Sequence, residues 1–162
     1  MARALIVGCG CRGRELARAL LKAGWQVRGT TRDAATAGAI EADGIEPLIA
    51  DPDRIGEVLE GIEGVALVYW LLGSATGEPG AVAALHGPRL QRLLEEIVDT
   101  PVRGFVYEVT GELEPDRLVD ALEILRGAGE RWRIPFEVVD VAETDHAMWL
   151  EGMLAAAREL VG

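Results

Sequence analysis

The sequence predicts a doubly wound α/β domain, with a mostly parallel sheet of about six strands and helices on both faces. Three observations predict it. Short β-rich runs alternate with segments of helical apolar spacing along the whole chain. One of those runs, GVALVYWLL at 64–72, is apolar without interruption, and a glycine-rich turn joins the first run to the first helical segment. Strands that alternate with helices are linked by right-handed crossovers and therefore lie parallel. A continuously apolar strand belongs in the middle of such a sheet, covered on both faces.

The elements follow in order. RALIVG at 3–8 is the first strand, and 14–23 is a helix with Leu16, Ala19, Leu20 and Ala23 on one face, ended by Gly24. WQVRGTT at 25–31 is the second strand, AATAGAIEAD at 34–43 a short helix, and IEPLIA at 45–50 the third strand. A helical turn or two at 53–60 leads into the apolar fourth strand. The segment 73–88 is rich in glycine and proline. Pro88 then opens a helix that places Leu90, Leu93, Leu94 and Ile97 inward. VRGFVYEV at 102–109 is the fifth strand, and 115–125 a helix with Leu118, Val119, Leu122 and Leu125 inward. PFEVVDV at 135–141 is the sixth strand, and 143–161 a terminal helix for which Thr144 is a suitable cap.

Composition bounds the function. A chain of 162 residues, 49% hydrophobic and 27% charged, suits one globular domain spanning 1–162. A net charge of −11 argues against nucleic acid as a general partner, because displacing phosphate counterions needs clustered basic charge. No apolar run approaches the roughly 18 residues of a membrane span, so no membrane partner is expected and the cytoplasm is the expected location. Cys9 and Cys11 lie too close together for an unstrained disulfide. Without neighbouring His or Cys they do not make a zinc site, so no metal is expected.

The glycine turn carries the chemistry. Gly8, Gly10 and Gly13 stand at G-x-G-x-x-G spacing between a strand and a helix, the context in which the spacing signals a dinucleotide. Gly8 permits the tight turn, Gly10 lets the backbone approach a pyrophosphate, and Gly13 lets the helix lie close to the strand. Unpaired N–H groups at the helix start then hold the diphosphate without many basic residues. Cys11 and Arg12 complete the turn. NAD-binding domains place a carboxylate at the end of the second strand, but this chain has Thr30 and Thr31 there, followed by Arg32. Arg32, with Arg12 approaching the same pocket, suits a 2'-phosphate, so NADP is the preferred cofactor over NAD. In the alternative, Arg32 is a solvated charge and Asp33 serves the ribose.

These residues resemble the short-chain dehydrogenase/reductase superfamily, in particular its atypical and extended members, the NAD(P)-dependent epimerase/dehydratase and NmrA-like groups. ALIVGCGCRGRELARALLKAGWQVRGTTRD is similar to their cofactor unit, and VRGFVYEVTG to their fifth strand. IADPD at 49–53 looks like their adenine-flanking turn, which implies that Asp51 lies near the adenine. The resemblance implies a Rossmann fold, a bound dinucleotide, and either a small oxidoreductase or epimerase-like enzyme acting on a small molecule, or an NmrA-like sensor of cofactor. The family's Tyr-x-x-x-Lys pair is absent. The only lysine is Lys22, and Gly73 and Gly111 stand four places after Tyr69 and Tyr107. Thr110 stands where the family has its catalytic serine. A domain that keeps only the fold is the third reading.

Ligands of open parallel sheets bind beyond the carboxyl ends of the strands, near the reversal of strand order. That selects Gly73, Ser74 and Thr76, Glu108 and Thr110, and the segment 140–145. Gly73 and Ser74 are candidates for the nicotinamide side, and Thr110, Glu108 and His86 for proton transfer. The segment 73–88 is either a lid or a short covering helix, and His146 belongs near a helix start. Cys11, at a helix start, is a candidate reactive thiol. Trp70, Trp132 and Trp149 are expected as core or interface anchors. Met148, Trp149, Leu150 and Met153 form an apolar face for the sheet or for a second copy, which would make a homodimer through the last helix.

Overall fold

The computed structural model describes residues 2–73, 78–109, 113–141 and 145–162. The strands are β1 (Arg3–Val7), β2 (Gln26–Thr31), β3 (Glu46–Ile49), β4 (Leu67–Trp70), β5 (Gly104–Val109) and β6 (Phe136–Asp140). The helices are α1 (Cys11–Lys22), α2 (Ala34–Ala42), α3 (Ile55–Leu59), α4 (Pro79–Leu85), α5 (Pro88–Ile97), α6 (Pro115–Trp132) and α7 (His146–Val161). The strands form one sheet in the order β3-β2-β1-β4-β5-β6, and every pairing is parallel. The strand order reverses between β1 and β4, at the carboxyl ends of Val7 and Trp70.

Both faces of the sheet are covered, as the apolar runs require. Along β1 and β4, side chains alternate between two cores. Leu5, Val7, Val68 and Trp70 join Val58, Leu93 and Leu125 of α3, α5 and α6. Ala4, Ile6, Leu67 and Tyr69 join Leu20, Ile40 and Trp149 of α1, α2 and α7. Each large apolar side chain buried in this way contributes about 1.5–3 kcal/mol relative to exposure. Pro79, Pro88 and Pro115 each stand at the start of a helix, where the missing N–H is not needed. No helix of the described residues is long and apolar enough to cross a membrane.

The structure corrects several boundaries. Helix α1 begins at Cys11, not residue 14, because Gly10 is its N-cap and Gly13 lies inside its first turn. The regular part of β4 is shorter than 64–72: Gly64 turns the chain with φ +73°, and backbone bonds from Ala66 to Arg3 and from Leu71 to Val7 flank the strand. Helix α6 runs on through Gly127 and Gly129 to Trp132, since tertiary packing overrides glycine's poor propensity; a Cβ on Gly129 would stand 3.2 Å from the Phe136 ring. Val119 is 53% exposed rather than inward. It lies one residue, or about 100°, off the stripe of Leu118, Ala121, Leu125 and Ala128. The α7 cap is Asp145, whose carboxylate accepts the Met148 N–H. Thr144 lies outside the described residues. On α7, Trp149 and Met153 are buried against the sheet while Met148 is exposed.

Candidate functional site

The site is built where β1 ends. Gly8 has φ +91°, and a Cβ there would stand 2.6 Å from the Leu71 carbonyl oxygen, so the chain can turn at this point only as glycine. Gly13 is closed in as well, with the Gly8 carbonyl 3.0 Å from where its Cβ would be. Gly10 differs, because a Cβ there would meet nothing within 4 Å and would project into open space above the turn.

Neighbouring β2 holds the turn in place. The Gly8 N–H donates to the Thr30 hydroxyl at 3.0 Å and the Cys9 N–H to the Thr30 carbonyl at 2.9 Å. Thr30 thus holds the turn, a role that sequence reasoning missed, having read it only as the place of an absent carboxylate. The available signal was a hydroxyl at the end of the strand expected beside β1. Beneath the turn Cys9 is buried, and burial pushes its thiol up to about 12. Cys11 is exposed at the first position of α1, with Arg14 Nη2 3.6 Å from its sulfur. Gly10 caps α1 without a side-chain bond, and the first turn carries no acidic residue. The amino end of α1 thus keeps its partial positive charge uncompensated by its own side chains.

Two clefts meet at this turn. The larger, about 420 Å³, runs from Gly8 and Gly10 past Thr31, Arg32 and Asp51 to the wall made by α4. Asp51 is fixed in its own turn, its carboxylate accepting the Asp53 N–H at 2.9 Å and its N–H donating to Glu57. Asp33 is occupied as the cap of α2, accepting from the Ala35 N–H at 3.0 Å and the Thr36 hydroxyl at 3.3 Å. The smaller cleft, about 230 Å³, opens on the other side of the turn between Gly10, Cys11, Arg12, Leu71 and Glu108. Arg12 belongs to this second cleft and does not line the one that holds Arg32, against the expectation that both arginines face one pocket.

The fold has counterparts among solved structures. A protein described as an NAD-dependent epimerase/dehydratase from Bacillus halodurans superposes with a TM-score of 0.71 at 14% identity, covering 88% of this chain and 71% of that one. UDP-glucuronic acid 4-epimerase from Bacillus cereus, in complex with NAD, gives 0.65 at 17% identity over 86% of this chain and 56% of that one. A short-chain dehydrogenase/reductase superfamily protein from Agrobacterium tumefaciens with bound NAD gives 0.63 at 22% identity, over 85% and 48%. The chain has the Rossmann fold of these proteins. It spans about half the length of the last two. No family model and no curated protein matches the sequence.

Around the Rossmann turn, the groups considered for proton transfer are placed as follows. Tyr69 and Tyr107 are buried, and burial pushes both hydroxyls above their ordinary range. The Tyr69 hydroxyl donates to the Met153 carbonyl at 2.9 Å. His86, the C-cap of α4, is buried with both ring nitrogens engaged. Its Nε2 lies 3.2 Å from the Leu72 carbonyl, which can only accept, so Nε2 carries the proton and Nδ1 accepts from the Tyr107 hydroxyl at 2.5 Å. His86 therefore anchors α4 to the end of β4 rather than facing a cleft. Glu108 is buried and lines the second cleft, where it accepts from Trp149 Nε1 at 2.7 Å and pairs with Arg12 at 3.0 Å. Gly73 is buried just beyond β4. Ser74, Thr76, Thr110 and residues 142–144 lie outside the described residues.

Proposed function

We propose that the chain binds a nicotinamide dinucleotide along the carboxyl ends of its strands, NADP(H) in preference to NAD(H). The observation that carries this reading is the meeting of two clefts at the Gly8–Gly10 turn, beside the helix end of α1 and at the point where strand order reverses. The N–H groups of Cys11, Arg12 and Gly13 would hold the diphosphate. Thr31, Arg32 and Asp51 would hold the adenosine half, and the second cleft and Gly73 the nicotinamide half. Arg32 lines the adenosine cleft while Asp33 is engaged as a helix cap, and both facts favour a 2'-phosphate over bare ribose hydroxyls. The NAD complexes among the solved relatives support a dinucleotide of this class.

A bound nicotinamide supplies hydride transfer, which suits a small oxidoreductase or epimerase-like enzyme. The second reading, a cofactor sensor, is favoured by one observation: Tyr69, Tyr107 and His86 are buried and bonded internally, so of the described groups weighed for proton transfer Glu108 alone lines the second cleft, where Arg12 and Trp149 already engage it. Titration of the protein with NADPH and NADH, read by ligand fluorescence, tests the binding. Saturation is expected with both, tighter for NADPH, and Arg32→Ala should erase the difference. Tighter binding of NADH would overturn the cofactor preference. Oxidation of bound NADPH on addition of small carbonyl compounds distinguishes enzyme from sensor.

A further inference from the structure

Arg12, Glu108 and Trp149 come from α1, β5 and α7, three elements far apart in the sequence, yet they are in contact, Arg12 and Glu108 lining the second cleft and Trp149 buried against both. One edge of the Arg12 guanidinium is held by Glu108 at 3.0 Å, and its carbon lies 4.3 Å from the centroid of the Trp149 ring. The same ring donates its Nε1–H to Glu108 at 2.7 Å, so the partners that fix the guanidinium also fix each other. His146 stacks on Trp149 with centroids 5.7 Å apart and 23° between planes, and it bonds to Glu15 on α1. An arginine on the exposed first turn of a helix ordinarily samples many rotamers. This one is held both by an edge and by a face, a geometry lysine cannot reproduce.

We propose that Glu108 and Trp149 are positioning residues that aim Arg12 at the nicotinamide-side phosphate of the dinucleotide, making the C-terminal helix part of the cofactor site. The inference rests on the dinucleotide reading above and adds a contact it did not contain. Arg12 lines the second cleft together with Gly10 and Gly13 of the turn, on the side away from Arg32. A guanidinium is suited to phosphate oxygens. Glu108 is buried while Arg12 is part exposed at the mouth of the cleft, so the carboxylate fixes the guanidinium where a phosphate entering the cleft would meet it.

The test compares NADPH with adenosine 2',5'-bisphosphate, which fills the adenosine half and lacks the nicotinamide-side phosphate. Arg12→Ala and Trp149→Phe are each expected to weaken NADPH binding about tenfold, as loss of a charge-assisted contact does, while affinity for the bisphosphate stays within about twofold. Arg12→Lys should recover only part of the loss. Equal loss of both ligands would show a merely structural role and overturn the proposal, as would unchanged NADPH affinity. If the unaltered protein binds the bisphosphate and NADPH equally well, the nicotinamide half is not held and the inference fails while the adenosine site stands. If it binds neither, the dinucleotide reading itself fails. NADH and AMP, which likewise lacks the nicotinamide-side phosphate, form a parallel pair that keeps the comparison independent of Arg32.

Discussion

The Gly8 amide donates to the Thr30 hydroxyl at 3.0 Å across 22 residues of sequence, so the glycine turn is held by the neighbouring strand. Thr30→Val keeps the shape and removes the acceptor. Leaving a part-buried N–H without its partner costs about 1 kcal/mol, the low end of the range for a buried group. Urea denaturation should show that loss, and Thr30→Ser should restore most of it. A Thr30→Val protein as stable as the original would mean that the bond contributes nothing.

The glycines of the turn should respond differently to the same substitution. Gly8→Ala forces a Cβ to within 2.6 Å of the Leu71 oxygen at φ +91°, so a stability loss of about 2 kcal/mol or more is expected. Gly10→Ala adds a methyl group in open space at φ −83°, so stability should stay within about 1 kcal/mol of the original. Its cost should appear instead in NADPH affinity, because the methyl occupies the approach to the helix end. Thermal melts and NADPH titration of the two variants separate the effects; equal destabilisation by both would contradict the assignment.

Much of this was legible in the sequence because it depends on local pattern. The β-rich runs and helical spacings placed the strands and helices in order, and the strand–turn–helix context singled out Gly8, Gly10 and Gly13. Thr30, Glu108 and Trp149 acquire their roles only through contacts between elements distant in the chain, which no spacing reveals. Arg12 shows the same limit. Its place in the turn was plain, but the side of the turn to which it points is set by β5 and α7. His86 was weighed as a proton donor, and only the arrangement of α4 over Tyr107 and Leu72 shows both its nitrogens engaged.

His86 should make stability depend on pH. Burial lowers its pKa below the ordinary 6.5, while the bond to Leu72 opposes this in part. The folded state keeps the ring neutral where the unfolded state takes up a proton, so stability present above pH 6.5 is lost as pH falls toward the folded value. Urea unfolding at pH 7.5 and at pH 5 should show this fall, and His86→Gln, which can donate and accept but does not titrate, should lose that part of it. Identical pH profiles would remove His86 as the cause.

The two thiols should react unequally. Cys9 is buried with its thiol pushed up to about 12, whereas Cys11 is exposed and lines the second cleft. Iodoacetamide near pH 8 should modify Cys11 alone in the folded protein, and NADPH should slow that reaction. Mass spectrometry of the labelled peptide checks both. Equal labelling of Cys9 would contradict the packing beneath the turn, and no slowing by NADPH would contradict a dinucleotide lying over it.

The central claim is that the dinucleotide lies on the turn between the two clefts. Backbone amide spectra of isotope-labelled protein, recorded as NADPH is added, test it most directly. Saturable shifts of the Gly10, Cys11, Arg12 and Gly13 amides are expected, with Thr31 and Arg32 following at the same midpoint. Unmoved amides at Gly10–Gly13 with NADPH at millimolar concentration, or shifts confined to a different surface such as the groove that Gln91 of α5 and Ile124 of α6 line, would contradict it.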